Sequence, residues 1–337
     1  MWTCAGSFHV KVCRKREFCE KHTGSNIFSW NACHEAWYCN AMKPAFCLLI
    51  PACILVLCPA AVAQDAALAS QLARAYGAWR AAMQSGDAKA WAAAITMHRQ
   101  VTTRNLIVSQ RKNWPAAVFE VPLDPPDISS LRLLEADAVG ETAHLLFFGR
   151  VDMGGGPGVI PESVLMLKFF NERGTWKFDS SKLLRLDDQP EIAQQIKAGG
   201  RLDFLDYPEF TPPGKSPPVP KICGIPDHVT GCTFQSLGYQ TRMIINGHDY
   251  PVMTDHAEKI FVIGGLKNGA NEIILEVKPV EIPPEGIRLL QLDFFVLAGK
   301  EGRQPVRVFH YEKNDPNLTG TQRLTLTITP EILSKGL

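Results

Sequence analysis

Residues 138–151, AVGETAHLLFFGRV, and 165–179, LMLKFFNERGTWKFD, decide the fold of this chain. Apolar side chains in them recur at every second position, and each run contains a glycine turn, Val139-Gly140-Glu141 and Glu172-Arg173-Gly174. A period of two bounded by such turns is the pattern of antiparallel strands joined by tight hairpins. The spacing predicts four strands, Leu131 to Asp137, Thr142 to Val151, Val164 to Phe170 and Thr175 to Leu184, in a meander.

Upstream the period changes. Leu68, Leu72, Tyr76, Trp79 and Met83 recur at steps of three and four, the stripe of an amphipathic helix, which Gly86-Asp87 ends. A second helix is expected from about Ala88 to Ser109, with apolar groups on both faces. A short helix from Glu191 to Ala198, closed by Gly199-Gly200, follows the meander. Helices before an antiparallel meander imply an α+β layer, with the helices on one face of a curved, cone-like sheet.

The stretch from Tyr207 to Pro220 has six prolines in fourteen residues, a composition that removes backbone donors and favours extended polyproline conformations. It is the expected linker, residues 207–221, between an α+β domain at 64–206 and a second domain at 222–337. Beyond it the sequence reads as seven short strands: Tyr239 to Asn246, Tyr250 to Met253, Lys259 to Ile263, Asn271 to Val277, Leu289 to Leu297, Val306 to Tyr311 and Arg323 to Ile328. Turn signals such as Asn246-Gly247 separate them, which predicts an all-β sandwich.

Eight of the ten cysteines lie in the first 58 residues. Met42-Lys43, an apolar run and the triplet Ala61-Val62-Ala63 give residues 42–63 the outline of a cleaved secretory signal. Residues 1–41 show no regular apolar period and are set aside as a start-site artefact or disordered segment. Leu55-Val56-Leu57-Cys58 has the outline of a lipobox, but Leu57 stands where such boxes carry a small residue, so cleavage after Ala63 ranks above a lipid anchor. The chain is therefore expected to be exported, periplasmic or secreted, with no stable membrane span after cleavage. In that compartment Cys223 and Cys232 are expected to pair as a disulfide. From Gln64 on, 29 basic residues (35 less 6) face 31 acidic ones (34 less 3), and this near balance argues against a nucleic-acid partner.

The runs AYGAWRAAMQSGDAKAWAAA (75–94), AVGETAHLLFFGRV and LMLKFFNERGTWKFD resemble the nuclear-transport-factor-two-like superfamily, the α+β cone shared with ketosteroid isomerases and polyketide cyclases, over about residues 66–186. The resemblance implies an apolar pocket between helices and sheet. The Tyr-and-carboxylate set of the isomerases has no counterpart, because Tyr76, the tyrosine ahead of the linker, lies in the first helix. The segment GGLKNGANEIILEV (264–277) is similar to strand-turn-strand segments of immunoglobulin-like sandwich modules in secreted proteins.

Within such a pocket His98 and His144 are the candidate bases and Arg104 their electrostatic partner, since proton transfer needs a titratable group near an orienting one. Trp79, Trp91 and Trp114 are the candidate ligand wall, with core packing as the competing reading. His248, Asp249, Asp255 and His256 supply metal-ligand types at a spacing that matches no recognised motif, so neither metal nor cofactor is expected. Gly154 to Gly158 lacks the lysine of a phosphate cradle and reads as a hairpin loop. The resulting expectation is a noncatalytic binding protein, with a small apolar ligand or partner segment in the cone and a protein or glycan contact through the sandwich. The alternative is an enzyme that moves a proton on a small apolar substrate, as isomerases, dehydratases and cyclases do.

Overall fold

In the computed structural model the described residues are 60–337, less 121–123, 153–159, 200–204, 206–207, 209, 284–285, 298–303 and 336–337. The cysteine-rich start, the expected signal segment up to residue 59 and the expected Gly154 to Gly158 loop lie outside them. Residues 61–337 form one compact unit.

The alternating segment forms β1 (Arg132–Val139), β2 (Thr142–Arg150), β3 (Glu162–Glu172) and β4 (Thr175–Arg185), antiparallel in the order β1-β2-β3-β4. The first turn has a specific need for glycine. Gly140 has φ +55, and a Cβ there would collide with the Gly214 carbonyl, which accepts the Glu141 amide at 2.9 Å. Both faces of the sheet are covered. Ala143, Leu145, Phe147, Leu165, Leu167 and Phe169 pack with Leu72 and Tyr76 of α1 (Ala60–Ser85), while Leu146, Phe148, Val164 and Met166 pack with Ala193 and Ile196 of α4 (Pro190–Lys197). The first seven residues of β2 are accordingly buried without a break.

The helix expected over 88–109 is two helices, α2 (Ala88–Ala94) and α3 (Met97–Ser109). Asp87 caps α2 by accepting the Lys89 and Ala90 amides at 2.9 and 3.0 Å. The break at Ile95-Thr96 is tied to β4: the Thr96 amide donates to Phe178 O at 2.9 Å, and its hydroxyl donates to Asp179 Oδ1 at 2.7 Å while accepting the Arg99 amide as the N-cap of α3. A continuous helix would forfeit all three bonds.

The second half is β5 (Thr230–Ile245), β6 (His248–Asp249), β7 (Met253–Phe261), β8 (Gly269–Pro279), β9 (Leu289–Val296), β10 (Val306–Lys313), β11 (Gly320–Ile328) and the closing helix α5 (Pro330–Lys335). All seven strands join one antiparallel sheet, β10-β9-β5-β8-β11, with β6 and β7 also paired to β5. The strand expected at Tyr239 starts at Thr230, where Thr230, Cys232, Phe234 and Ser236 already alternate inward; the two expected at 250–253 and 259–263 are replaced by β6 and the single strand β7. The first half of β5 pairs with β9 and the second half with β8, and the β5·β7 register shifts between Ser236 and Gln240, around Gly238 at φ +71. β5 is thus the bent spine of a sheet curled about one core that includes Phe234, Tyr239, Met243, Leu275, Leu292 and Phe294. The fold is α+β and dominated by antiparallel sheet.

Candidate functional site

The space between helices and sheet, where a pocket was expected, is filled with rings. Tyr76 and Trp79 lie 5.5 Å apart, Trp79 and Phe178 4.3 Å, Tyr76 and Phe178 5.3 Å, and Phe169 and Phe178 5.9 Å between centroids. Trp91 meets Trp114 edge-on at 5.7 Å in an adjoining cluster with Ala82, Ile95 and Ile107. Of the three tryptophans Trp91 is buried, and Trp79 and Trp114 are half-buried at the margins of these clusters. The Tyr76 hydroxyl donates to Pro126 O at 2.9 Å, and burial pushes its phenol well above the ordinary range, so it serves as a fixed donor and not as an acid.

The candidate catalytic residues are each held by a separate structural partner. By strand alternation His144 shares the face of Leu146 and Phe148, the one covered by α4, which places it away from the α1 side; its Nε2 lies 3.1 Å from Glu135 Oε1. His98 and Arg104 belong to a row on α3 that grips the proline-rich segment. His98 Nδ1 donates to Pro218 O at 3.0 Å, Asn105 Nδ2 to Lys221 O at 2.8 Å, and Arg104 Nη1 to Cys223 O at 3.0 Å. Asn105 Oδ1 accepts the Cys223 amide at 3.0 Å, and Arg111 Nη2 donates to Pro226 O and Asp227 O at 2.9 and 2.6 Å. A chain poor in amides and outside any ladder still has carbonyls to satisfy, and α3 together with Arg111 just past its end supplies the donors.

The same row accounts for the cysteines. The expected Cys223–Cys232 disulfide is absent: both are free, buried thiols. Cys223 is drawn to α3, its sulfur 3.6 Å from Asn105 O and 3.7 Å from Ser109 Oγ, whereas Cys232 is an inward residue of β5 whose thiol burial pushes far up. Two of the four candidate metal ligands are engaged by partners of their own, Asp249 with Arg242 at 2.6 Å and Asp255 as acceptor of the Gly238 amide at 2.9 Å.

An opening does exist, at the margin of the layer between α1 and the sheet, where Ala75 and Trp176 border the core. A groove of about 400 Å³ runs between α1, the end of α2 and the β3–β4 turn. Gln71, Arg74, Ala75 and Ala78 fall on one face of α1 and meet Ala94, Trp176 and Lys177 across it. The alanines keep the floor flat, the indole gives an apolar wall, and two cations stand at the edge. Arg74 is bonded to the Ser70 hydroxyl at 2.7 Å and Lys177 to Glu172 at 3.2 Å. The volume is that of a small-molecule site, and the lining suits an apolar group carrying an anion. The lining holds no histidine and no carboxylate, and so no acid–base pair. Sequence reading missed this groove because alanines on an exposed helix face give no chemical signal; the visible traces were the alanine runs of 75–94 and Trp176.

A further cluster of titratable groups sits where β6 meets the proline-rich segment. Burial, then the charges of Lys221 and Lys267, hold His248 below the ordinary imidazole range, and both its ring and the Cys223 Cβ stand close to the Cβ position of Gly264, at 3.5 and 3.3 Å. With a folded value below the unfolded one of about 6.5, the unfolded chain takes up the proton first. The stability held above that value is lost as pH falls toward the folded one. Urea midpoints at pH 7.5 and 5.5 are expected to drop for the natural chain and to drop less for His248→Gln; equal drops would show that other groups set the slope.

No protein-family model, curated protein or solved structure matches this chain.

Proposed function

We propose that this is a noncatalytic binding module of an exported protein, a cone-type α+β half followed by a sandwich-like sheet. On this reading the half built from α1 to β4 uses the groove beside α1 to hold a small apolar anion or a partner segment ending in one. The curled sheet of the second half contributes protein or glycan contacts. The observation that carries the reading is the ring-filled interior, together with His98, His144 and Arg104 each bound to a structural partner instead of facing an opening. A catalytic histidine needs a reacting atom within hydrogen-bond reach, and one ring nitrogen of each of these histidines is taken up by the chain itself, His98 by Pro218 O and His144 by Glu135.

Benzoate, an apolar ring with one carboxylate, is the simplest probe of the groove. Titrated into residues 64–337, it is expected to shift the amide resonances of Ala78, Trp176 and Lys177. Arg74→Ala should weaken it by roughly tenfold, the value of one charge-assisted hydrogen bond, while His98→Ala and His144→Ala leave it unchanged. Turnover of a small carbonyl substrate that His98→Ala or His144→Ala abolishes would sink the proposal.

A further inference from the structure

The sheet of the second half packs its core on one face, and on the other face the strand register assembles an apolar strip. Across β7, β5, β9 and β10 it sets Phe261, Gly231, Phe295 and Arg307 side by side, and alternation turns them away from the core residues Cys232 and Phe294. Gly231 leaves a gap between two half-buried rings whose strands stand two spacings, ~10 Å, apart. A Cβ at 231 would meet nothing nearer than Ile260 O at 3.7 Å and Leu297 Cδ2 at 3.9 Å beyond its chain neighbours.

Beside the strip runs a fixed polar network. Asp293, 6% exposed, accepts from Gln291 Nε2 at 2.5 Å and His310 Nδ1 at 2.8 Å, with Arg307 Nη1 at 3.6 Å. Gln291 Oε1 in turn accepts Gln235 Nε2 at 3.1 Å. Because a carboxylate only accepts, Nδ1 carries the proton that orients the His310 ring, and Nε2 stands 3.7 Å from Glu312 Oε2, beyond hydrogen-bond length. His310, Arg307 and Glu312 are exposed, so planar groups already held in place keep bonding capacity toward solvent, next to an apolar gap.

The composition of this face selects its occupant. A protein partner needs an apolar patch to bury, and none of the exposed large apolar side chains among the described residues belongs to these four strands. An ion gains little, since Lys259 and Arg307 balance Asp293 and Glu312. A neutral sugar ring offers what remains: an apolar C–H face for the gap between the phenylalanines, and hydroxyls that both donate and accept for the network beside it.

We infer that this face binds a neutral glycan, with one sugar ring over Gly231 between Phe261 and Phe295 and its hydroxyls on Arg307 and His310. The inference rests on the glycan contacts proposed for the second half and is independent of the groove beside α1.

Residues 64–337 are to be applied to an array of neutral oligosaccharides that includes cellohexaose, maltohexaose and chitohexaose, with polygalacturonate as the acidic control. The sugar retained is then titrated in solution while the His310 ring resonances are followed. Saturable binding of a neutral sugar is expected. It should weaken roughly tenfold in Phe295→Leu, which loses the ring but stays apolar, and in His310→Gln, which keeps a donor for Asp293. An unchanged far-ultraviolet spectrum verifies that each variant folds, and His310 is exposed, so its exchange tests the site even if Phe295→Leu unfolds. Arg74→Ala should leave sugar binding unchanged, which separates a failure of this face from a failure of the groove. No sugar retained across the array overturns the site, as does natural affinity in both variants or retention of polygalacturonate alone. Self-association without sugar binding, abolished by Phe295→Leu, would assign the face to a protein contact and overturn it as well.

Discussion

Asp179→Ala is expected to lower the free energy of unfolding by roughly 3 kcal/mol, the scale for breaking a buried ion pair from one side. The Asp179 carboxylate is almost fully buried, accepts from the Thr96 and Ser180 hydroxyls at 2.7 and 2.9 Å, and pairs with Arg99 Nη2 at 3.2 Å. Its removal leaves a cation and two hydroxyls facing an empty volume, and it unpins the start of α3, whose N-cap is Thr96. Asp179→Asn keeps one acceptor for Thr96 and should lose clearly less. Urea unfolding of the two variants checks this; equal losses would mean that the charge itself carries little and that shape dominates.

Phe178→Ala should cost on the order of 4 kcal/mol, the usual scale for truncating a fully enclosed aromatic side chain. Phe178 touches Tyr76, Trp79 and Phe169 at once, so no single neighbour can swing in to close the gap. The truncation would open in the interior the apolar cavity that the natural side chains deny. Such cavities stay dry and accept small aromatics. Benzene should therefore raise the melting temperature of Phe178→Ala and leave that of the natural chain unmoved. A natural chain already stabilised by benzene would show the interior to be open, against the packing described above.

Local pattern sufficed wherever the deciding contacts are local. The four strands of the meander, the first helix and the glycine turns at 140 and 174 are readable because alternation and turn chemistry act over a few residues. The break at Thr96 was not readable, since the carboxylate and carbonyl that make it worthwhile lie on β4, more than eighty residues on. Likewise nothing around His98 or Arg104 announces that their partners are the carbonyls of Pro218 and Cys223. His144 misled for a different reason. Its strand is buried on both faces, so alternation gave its phase without saying which face the helices would take. The cysteine pair was inferred from compartment alone, and that argument has no access to the pull of Asn105 on Cys223 or to the inward phase of Cys232 in β5.

The grip of α3 on the proline-rich segment has a consequence for how this protein tolerates change. His98, Arg104, Asn105 and Arg111 bind main-chain atoms of 218–227, carbonyls that every residue type provides and one amide, that of Cys223, while Val219, Ile222 and Ile225 on the gripped segment face solvent. The joint is therefore written in one partner and read from the other. The segment can drift in sequence at those three positions with its path kept, whereas a single exchange on the helix unfastens it. The apolar surface of that segment is free to be shaped by whatever it meets, at little cost to the fold beneath.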